Sequence, residues 1–162
     1  MPKSRFLIAL GSNQRHIHYG LPHAVLTAAI AALEADAATT VLSQSSIVSS
    51  RPIGPSNRRY ANAAILIETR HDPISLLSML KSIESTFGPR RGERWSRRVL
   101  DLDIILWSKG YFSSRNPALI IPHVEMQHRP FVLRPAAEIT PDWSDPVTGL
   151  TIRQLAYRIG QT

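Results

Sequence analysis

Leu100-Asp-Leu-Asp-Ile-Ile-Leu106 is the segment that most narrows what this chain can become. Such an apolar run wants a central strand, yet it carries Asp101 and Asp103. Residues two apart in a strand share a face, with Cα atoms about 6.6 Å apart. Leu100, Leu102 and Ile104 then take the opposite face. One side of this strand must pack into a core while the other presents two carboxylates at one place. Ionised carboxylates are costly to bury unpaired. They need either cationic side chains or a metal. Hard divalent cations take carboxylate oxygens, and Mg²⁺ uses one or two of them with waters and phosphates. A pair of carboxylates can also serve two ions that clamp attacking and leaving oxygens.

Five arginines precede the acids (Arg90, Arg91, Arg94, Arg97 and Arg98). A charge run is usually a solvated loop, and such a loop could simply neutralise Asp101 and Asp103. Next to a metal–phosphate site the same residues have other work. Guanidinium groups bind phosphate oxygens bidentately, and phosphoryl transfer depends on electrostatic stabilisation of that kind. Trp95 lies among them as a cover for substrate or as a hydrophobic anchor. The formal net charge of +7, from 19 Lys/Arg against 12 Asp/Glu, points to an anionic partner without naming it.

The rest of the chain reads as alternating elements. Phe6–Leu10 predicts a buried strand ended by Gly11-Ser-Asn13, and apolar spacing predicts a helix over roughly 21–35. Val41–Ser50 reads as a strand, 51–57 as a Pro/Gly-punctuated loop, and Tyr60–Thr69 as the next strand. Asp72-Pro73 opens a second helix that Gly88 ends. After the 100–106 strand come a hairpin up to Ile121, a Pro122-His123 turn, a short helix near 130–137, and an amphipathic segment from Thr151 to Ile159. Strand, helix, strand, strand, helix, strand is the order of the ferredoxin-like α+β unit, here with a C-terminal extension. A length of 162 residues with 43% hydrophobic content fits one domain over 1–162.

Several chemistries are excluded. With no cysteines there is no disulfide, thiolate catalysis or Cys-type zinc site. The 123/128 histidine spacing is not the i, i+4 pattern of a helical zinc pair, and Gly11-Ser-Asn13 lacks the second glycine and the Lys-Ser/Thr of a phosphate loop. His16, His18 and His23 have no distinguishing context. The N-terminal apolar run, Phe6–Leu10, is far too short for a signal peptide or membrane span, so a soluble cytoplasmic protein is expected.

Taken together, Ala9-Leu-Gly-Ser-Asn13, Tyr60-Ala-Asn-Ala-Ala64, Ile83-Glu84, Arg94-Trp-Ser-Arg-Arg-Val-Leu-Asp-Leu-Asp-Ile104, Ile121-Pro-His123 and Arg129-Pro-Phe-Val-Leu133 resemble the hydroxymethyldihydropterin pyrophosphokinase family. The resemblance covers nearly the whole chain. It implies transfer of the β,γ-pyrophosphoryl group of ATP to 6-hydroxymethyl-7,8-dihydropterin. Asp101 and Asp103 match the ligands of two Mg²⁺ ions, with Arg98 joining them in catalysis. Glu84, Arg94, Arg98, Ile104, His123 and Arg129 match ATP-binding positions. Pro52, Ile53, Gly54, Tyr60, Asn62, Trp95 and Phe131 match the pterin pocket, Tyr60 and Phe131 gripping the ring and Asn62 reading its polar edge. The chain departs from the family pattern at Trp95-Ser-Arg-Arg98, at Pro89, and in the uncharged Asn116–Pro122 run. A monomer acting on small molecules is expected, with no nucleic-acid or membrane partner. The rivals are a basic RNA-binding module, which would need exposed aromatics on its sheet, and a catalytically idle relative.

Overall fold

In the computed structural model, residues 2–13, 20–50, 60–88 and 99–160 are described, Ser50 through its backbone only. The elements are β1 (Ser4–Ser12), α1 (Pro22–Glu34), β2 (Thr39–Gln44), β3 (Val48–Ser50), β4 (Tyr60–Thr69), α2 (Pro73–Thr86), β5 (Asp101–Trp107), β6 (Phe112–Arg115), β7 (Ala118–Ile121), α3 (Pro130–Ile139) and α4 (Ile152–Ile159). The main sheet runs β2-β4-β1-β5, with β3 also on β4, and every pairing is antiparallel. β6 and β7 form a separate hairpin.

Two-residue alternation along β1 and β4 divides the core. Phe6, Ile8 and Leu10 with Ala63, Ile65 and Ile67 face α1 and α2, meeting Leu26, Leu33, Leu76 and Leu80. Leu7, Ala9 and Ala64 face the other way, onto Val132, Leu133 and Ala136 of α3 and Ile152 and Leu155 of α4. The sheet is therefore covered on both faces, the second time by the C-terminal extension. An RNA-reading sheet needs an open face of stacking aromatics; here helices occupy both.

Helix boundaries follow local chemistry. The Asp72 carboxylate accepts from the Ser75 N–H at 2.7 Å and Pro73 stands at the first helical position, as the sequence predicts. Gly88 ends the segment at φ +141°, where a Cβ would also lie 3.2 Å from Val99. Thr151 and Gln154 make a reciprocal capping box at α4.

Two expectations need amendment. The predicted Val41–Ser50 strand is two strands, separated at Ser45, whose hydroxyl accepts from the Ala64 N–H at 2.9 Å. The 100–106 strand also carries a bulge: Leu7 pairs Leu106 while Ile8 pairs Ile104, leaving Ile105 unmatched. Consequently Ile105 and Leu106, adjacent in sequence, both face α3 and α4, while Ile104 faces α2.

Candidate active site

The C-terminal end of β1 and the N-terminal ends of β4 and β5 meet at one end of the sheet. Gly11 is flanked by Asn62 on β4 and Asp101 on β5, and Ala9 by Ala64 and Asp103. Two rows result on the α3 side, each with a small residue in the middle. They pave a cavity of about 460 Å³, whose rim is set by Tyr60, Asn62, Asp101, Asp103, Arg129 and Phe131. The pairing that sequence periodicity predicted for the two carboxylates is thus observed.

α3 supplies the opposite wall. Arg129 precedes its first turn, and its carbonyl accepts from Val132 and Leu133, both at 3.0 Å. Val132, Leu133 and Ala136 anchor the helix on the sheet, so Phe131 is turned out to the cavity, 49% exposed. The Arg129 guanidinium lies 5.7 Å from the Phe131 ring centre, and its Nη1 is 3.9 Å from Asp103 Oδ2.

A second cavity, about 770 Å³, opens on the other side of β5 between α2 and the β6–β7 hairpin. Leu77 and Lys81 bound it on α2, Asp103 and Ile104 on β5, and Ile120, His123 and Val124 beyond the hairpin. Its floor is largely apolar. Among the described residues, Asp103 alone lines both cavities. The side chain of Ile104 is 3% exposed and packed in the core, so only its edge and main chain are available to that space.

His123 is fixed through the bulge. Its N–H donates to the Ile105 carbonyl at 3.0 Å, and its Nδ1 accepts from the Glu125 N–H at 3.1 Å. That acceptor role places the ring proton of the neutral imidazole on Nε2. Burial pushes the His123 pKa below its ordinary value; Asp103 and Glu125 pull the other way and Arg129 adds to the lowering. The ring is a neutral hydrogen-bond donor at neutral pH.

Glu84 lines neither cavity. Its Oε2 accepts from the Leu102 N–H at 2.8 Å, and its Oε1 lies 3.3 Å from Lys81 Nζ. β5 is a sheet edge, and this carboxylate satisfies an outward N–H between Asp101 and Asp103. Glu84→Leu leaves that N–H and Lys81 without their acceptor, so it should destabilise the fold by about 1–3 kcal/mol. Glu84→Gln keeps an acceptor and should recover most of the loss in urea titration; equal stability of all three proteins would refute the brace.

Of the other sequence-predicted residues, Pro52, Ile53, Gly54, Arg94, Trp95 and Arg98 lie outside the described residues. Among those described, no group of three or more His, Cys, Asp or Glu side chains could hold a metal ion; the acidic site is the Asp101–Asp103 pair. No helix among them is long and apolar enough to cross a membrane. Sequence reasoning missed Lys81, whose only signal was its place one helical turn before Glu84, and gave no role to Gly11.

Residues 7–141 match the family model described as 7,8-dihydro-6-hydroxymethylpterin-pyrophosphokinase. The chain is 43% identical over 137 residues to the 2-amino-4-hydroxy-6-hydroxymethyldihydropteridine pyrophosphokinase of Synechocystis sp., covering 85% of this chain and 69% of that protein. It is 34% identical over 157 residues to the enzyme of the same name from Methylorubrum extorquens, covering 96% and 94%. Among solved structures, Plasmodium falciparum HPPK-DHPS superposes with a TM-score of 0.74 at 15% identity, over 97% of this chain and 41% of that one. That likeness speaks for the fold alone. Sequence, by contrast, settles kinship: this chain belongs to the 7,8-dihydro-6-hydroxymethylpterin-pyrophosphokinase family.

Proposed function

We propose that the first cavity receives the pterin and the second receives ATP, with Asp103 where the two substrates meet. The chain is a pyrophosphokinase of folate biosynthesis, transferring pyrophosphate from ATP to 6-hydroxymethyl-7,8-dihydropterin. The placement of Asp103 on both cavities carries the assignment of substrates to sites. A transfer between two bound molecules needs their reacting ends side by side, and holding them so is itself a large part of catalysis.

In this reading Tyr60 and Phe131 hold the ring, over a floor kept flat by Ala9 and Gly11, and the Asn62 amide pairs with the ring's polar edge. Pro52, Ile53, Gly54 and Trp95 complete that pocket. The adenine lies on the apolar floor of the second cavity. β5 alternation supports a main-chain contact there: Leu102 turns its N–H outward to Glu84, and Ile104, two residues on, turns its N–H and carbonyl the same way. Arg94, Arg98, Arg129 and the His123 Nε2–H bind phosphate oxygens. The hydroxymethyl oxygen attacks the β-phosphorus in line, and AMP leaves.

Asp101 and Asp103 fit Mg²⁺, being hard oxygen donors on adjacent rows of one strand face at the cavity wall. Two bound Mg²⁺ ions would supply neutralisation of triphosphate charge. Glu84 serves the nucleotide site indirectly, by holding β5. The β2-β4-β1-β5 order supports a ferredoxin-like core with a C-terminal extension, forming a single domain over 1–162. We include in the proposal that the protein is a cytoplasmic monomer. The decisive experiment incubates the chain with Mg-ATP with and without the pterin. Pterin-dependent AMP is expected; ADP, or AMP formed equally without pterin, would overturn the reading.

A further inference from the structure

We infer that Asn13 is a further pterin-binding residue, its side-chain oxygen accepting a hydrogen bond from an N–H of the heterocycle. This rests on the assignment of the first cavity to the pterin. Asn13 lines that cavity just past the end of β1, one row beyond the Gly11–Asn62 pair and beside Tyr60. Its Oδ1 is buried and has no hydrogen-bond partner, the one such side-chain atom found among the described residues. Buried polar atoms are almost always paired, and an exception in a cavity wall invites a ligand explanation.

The chemistry of the missing partner is constrained. An amide oxygen only accepts, so the partner must donate. Triphosphate oxygens cannot, and neither can the ionised carboxylates of Asp101 and Asp103. A pterin carries ring N–H groups and an exocyclic amine, so it has donors to offer in this cavity. Asn62 stands on the same strand face across from Gly11. The two amides thereby address the heterocycle from neighbouring rows.

The test is Asn13→Leu, similar in shape but without the acceptor, with Phe131→Ala as reference. Pterin affinity is measured by calorimetry in the presence of magnesium and a non-hydrolysable ATP analogue, alongside KM for pterin, ATP and Mg²⁺ and the melting temperature of the free protein. Asn13→Leu should weaken pterin binding about ten- to hundredfold, leave KM for ATP and Mg²⁺ within about twofold, and hold or raise the melting temperature, because it removes an unpaired buried group. Unchanged pterin affinity alongside a weakened Phe131→Ala would overturn the role of Asn13 alone. If both variants bind pterin as wild type does, the cavity assignment falls as well. A rise in KM for Mg²⁺ alone would assign the oxygen to metal-bound water, and a lower melting temperature with parallel loss of both substrates would assign it to structure; either overturns the proposal.

Discussion

Asp103→Ala should lower turnover by at least about a thousandfold, while the variant melts at or slightly above the wild-type temperature. The two halves of this expectation have separate causes. Asp103 is where the cavities meet, so its carboxylate acts on the reacting groups of both substrates. In the empty protein it contributes little. Its side chain is 44% exposed, and its nearest cation among the described residues, Arg129, stands off at 3.9 Å. A loose, solvated ion pair of that kind is worth about 0–1 kcal/mol. Against it stands repulsion from Asp101 on the same strand face, which alanine relieves. Circular dichroism melts and single-turnover AMP formation measure the two halves separately. A variant keeping more than about a tenth of the wild-type rate would contradict the proposed role, because losing one preorganised electrostatic group normally costs about a hundredfold or more. Asp103→Asn tests charge against shape: it keeps the volume and should fail nearly as badly.

The part of this site written locally was legible in the sequence. Asp101 and Asp103 were placed on one face by strand periodicity alone, and the strand Tyr60–Thr69 was read with its observed limits. Strict alternation makes such segments plain, because a shift of one residue would exchange buried and exposed faces. Legibility ends where partners are distant in sequence. The bulge at Ile105 was hidden because Ile104 and Ile105 are the same residue type, and either could continue an apolar run. Its consequence, the Ile105 carbonyl that seats His123, belongs to tertiary packing. The break at Ser45 was equally hidden: a small polar residue in a weakly alternating segment looks like strand until its hydroxyl is seen on the Ala64 N–H. Glu84 shows the same limit differently. The resemblance marks it as an ATP-binding position, whereas its acceptance from a main-chain N–H of β5 depends on helix and strand packing. The second cavity had no single-segment signature, since its walls come from α2, β5 and the hairpin.

Gly11→Val should cost at least about a hundredfold in pterin affinity while leaving ATP affinity within about twofold and the fold as stable as before. Glycine inside a strand is normally a loss of about 0.5–1 kcal/mol relative to alanine, and valine is among the better strand formers. On stability alone, position 11 would favour the substitution. What opposes it is the space above the residue. A Cβ at Gly11 would come within 3.3 Å of the Asn62 Oδ1, a contact that alanine can accommodate with a small shift of that amide. The two methyls of valine would stand on the floor of the first cavity, between Asn62 and Asp101. They would push the Asn62 amide from its position and lift a flat ring off the floor, away from Tyr60, Phe131 and the carboxylates together. A displacement of about 1 Å in a bound reactant is enough to cost two orders of magnitude. Gly11→Ala should fall between wild type and valine. The ordering is read from pterin titrations of the three proteins at fixed ATP analogue. Pterin affinity that survives the valine would mean that the ring does not lie over β1, and both the Asn62 contact and the placement of the hydroxymethyl group near Asp103 would have to be abandoned.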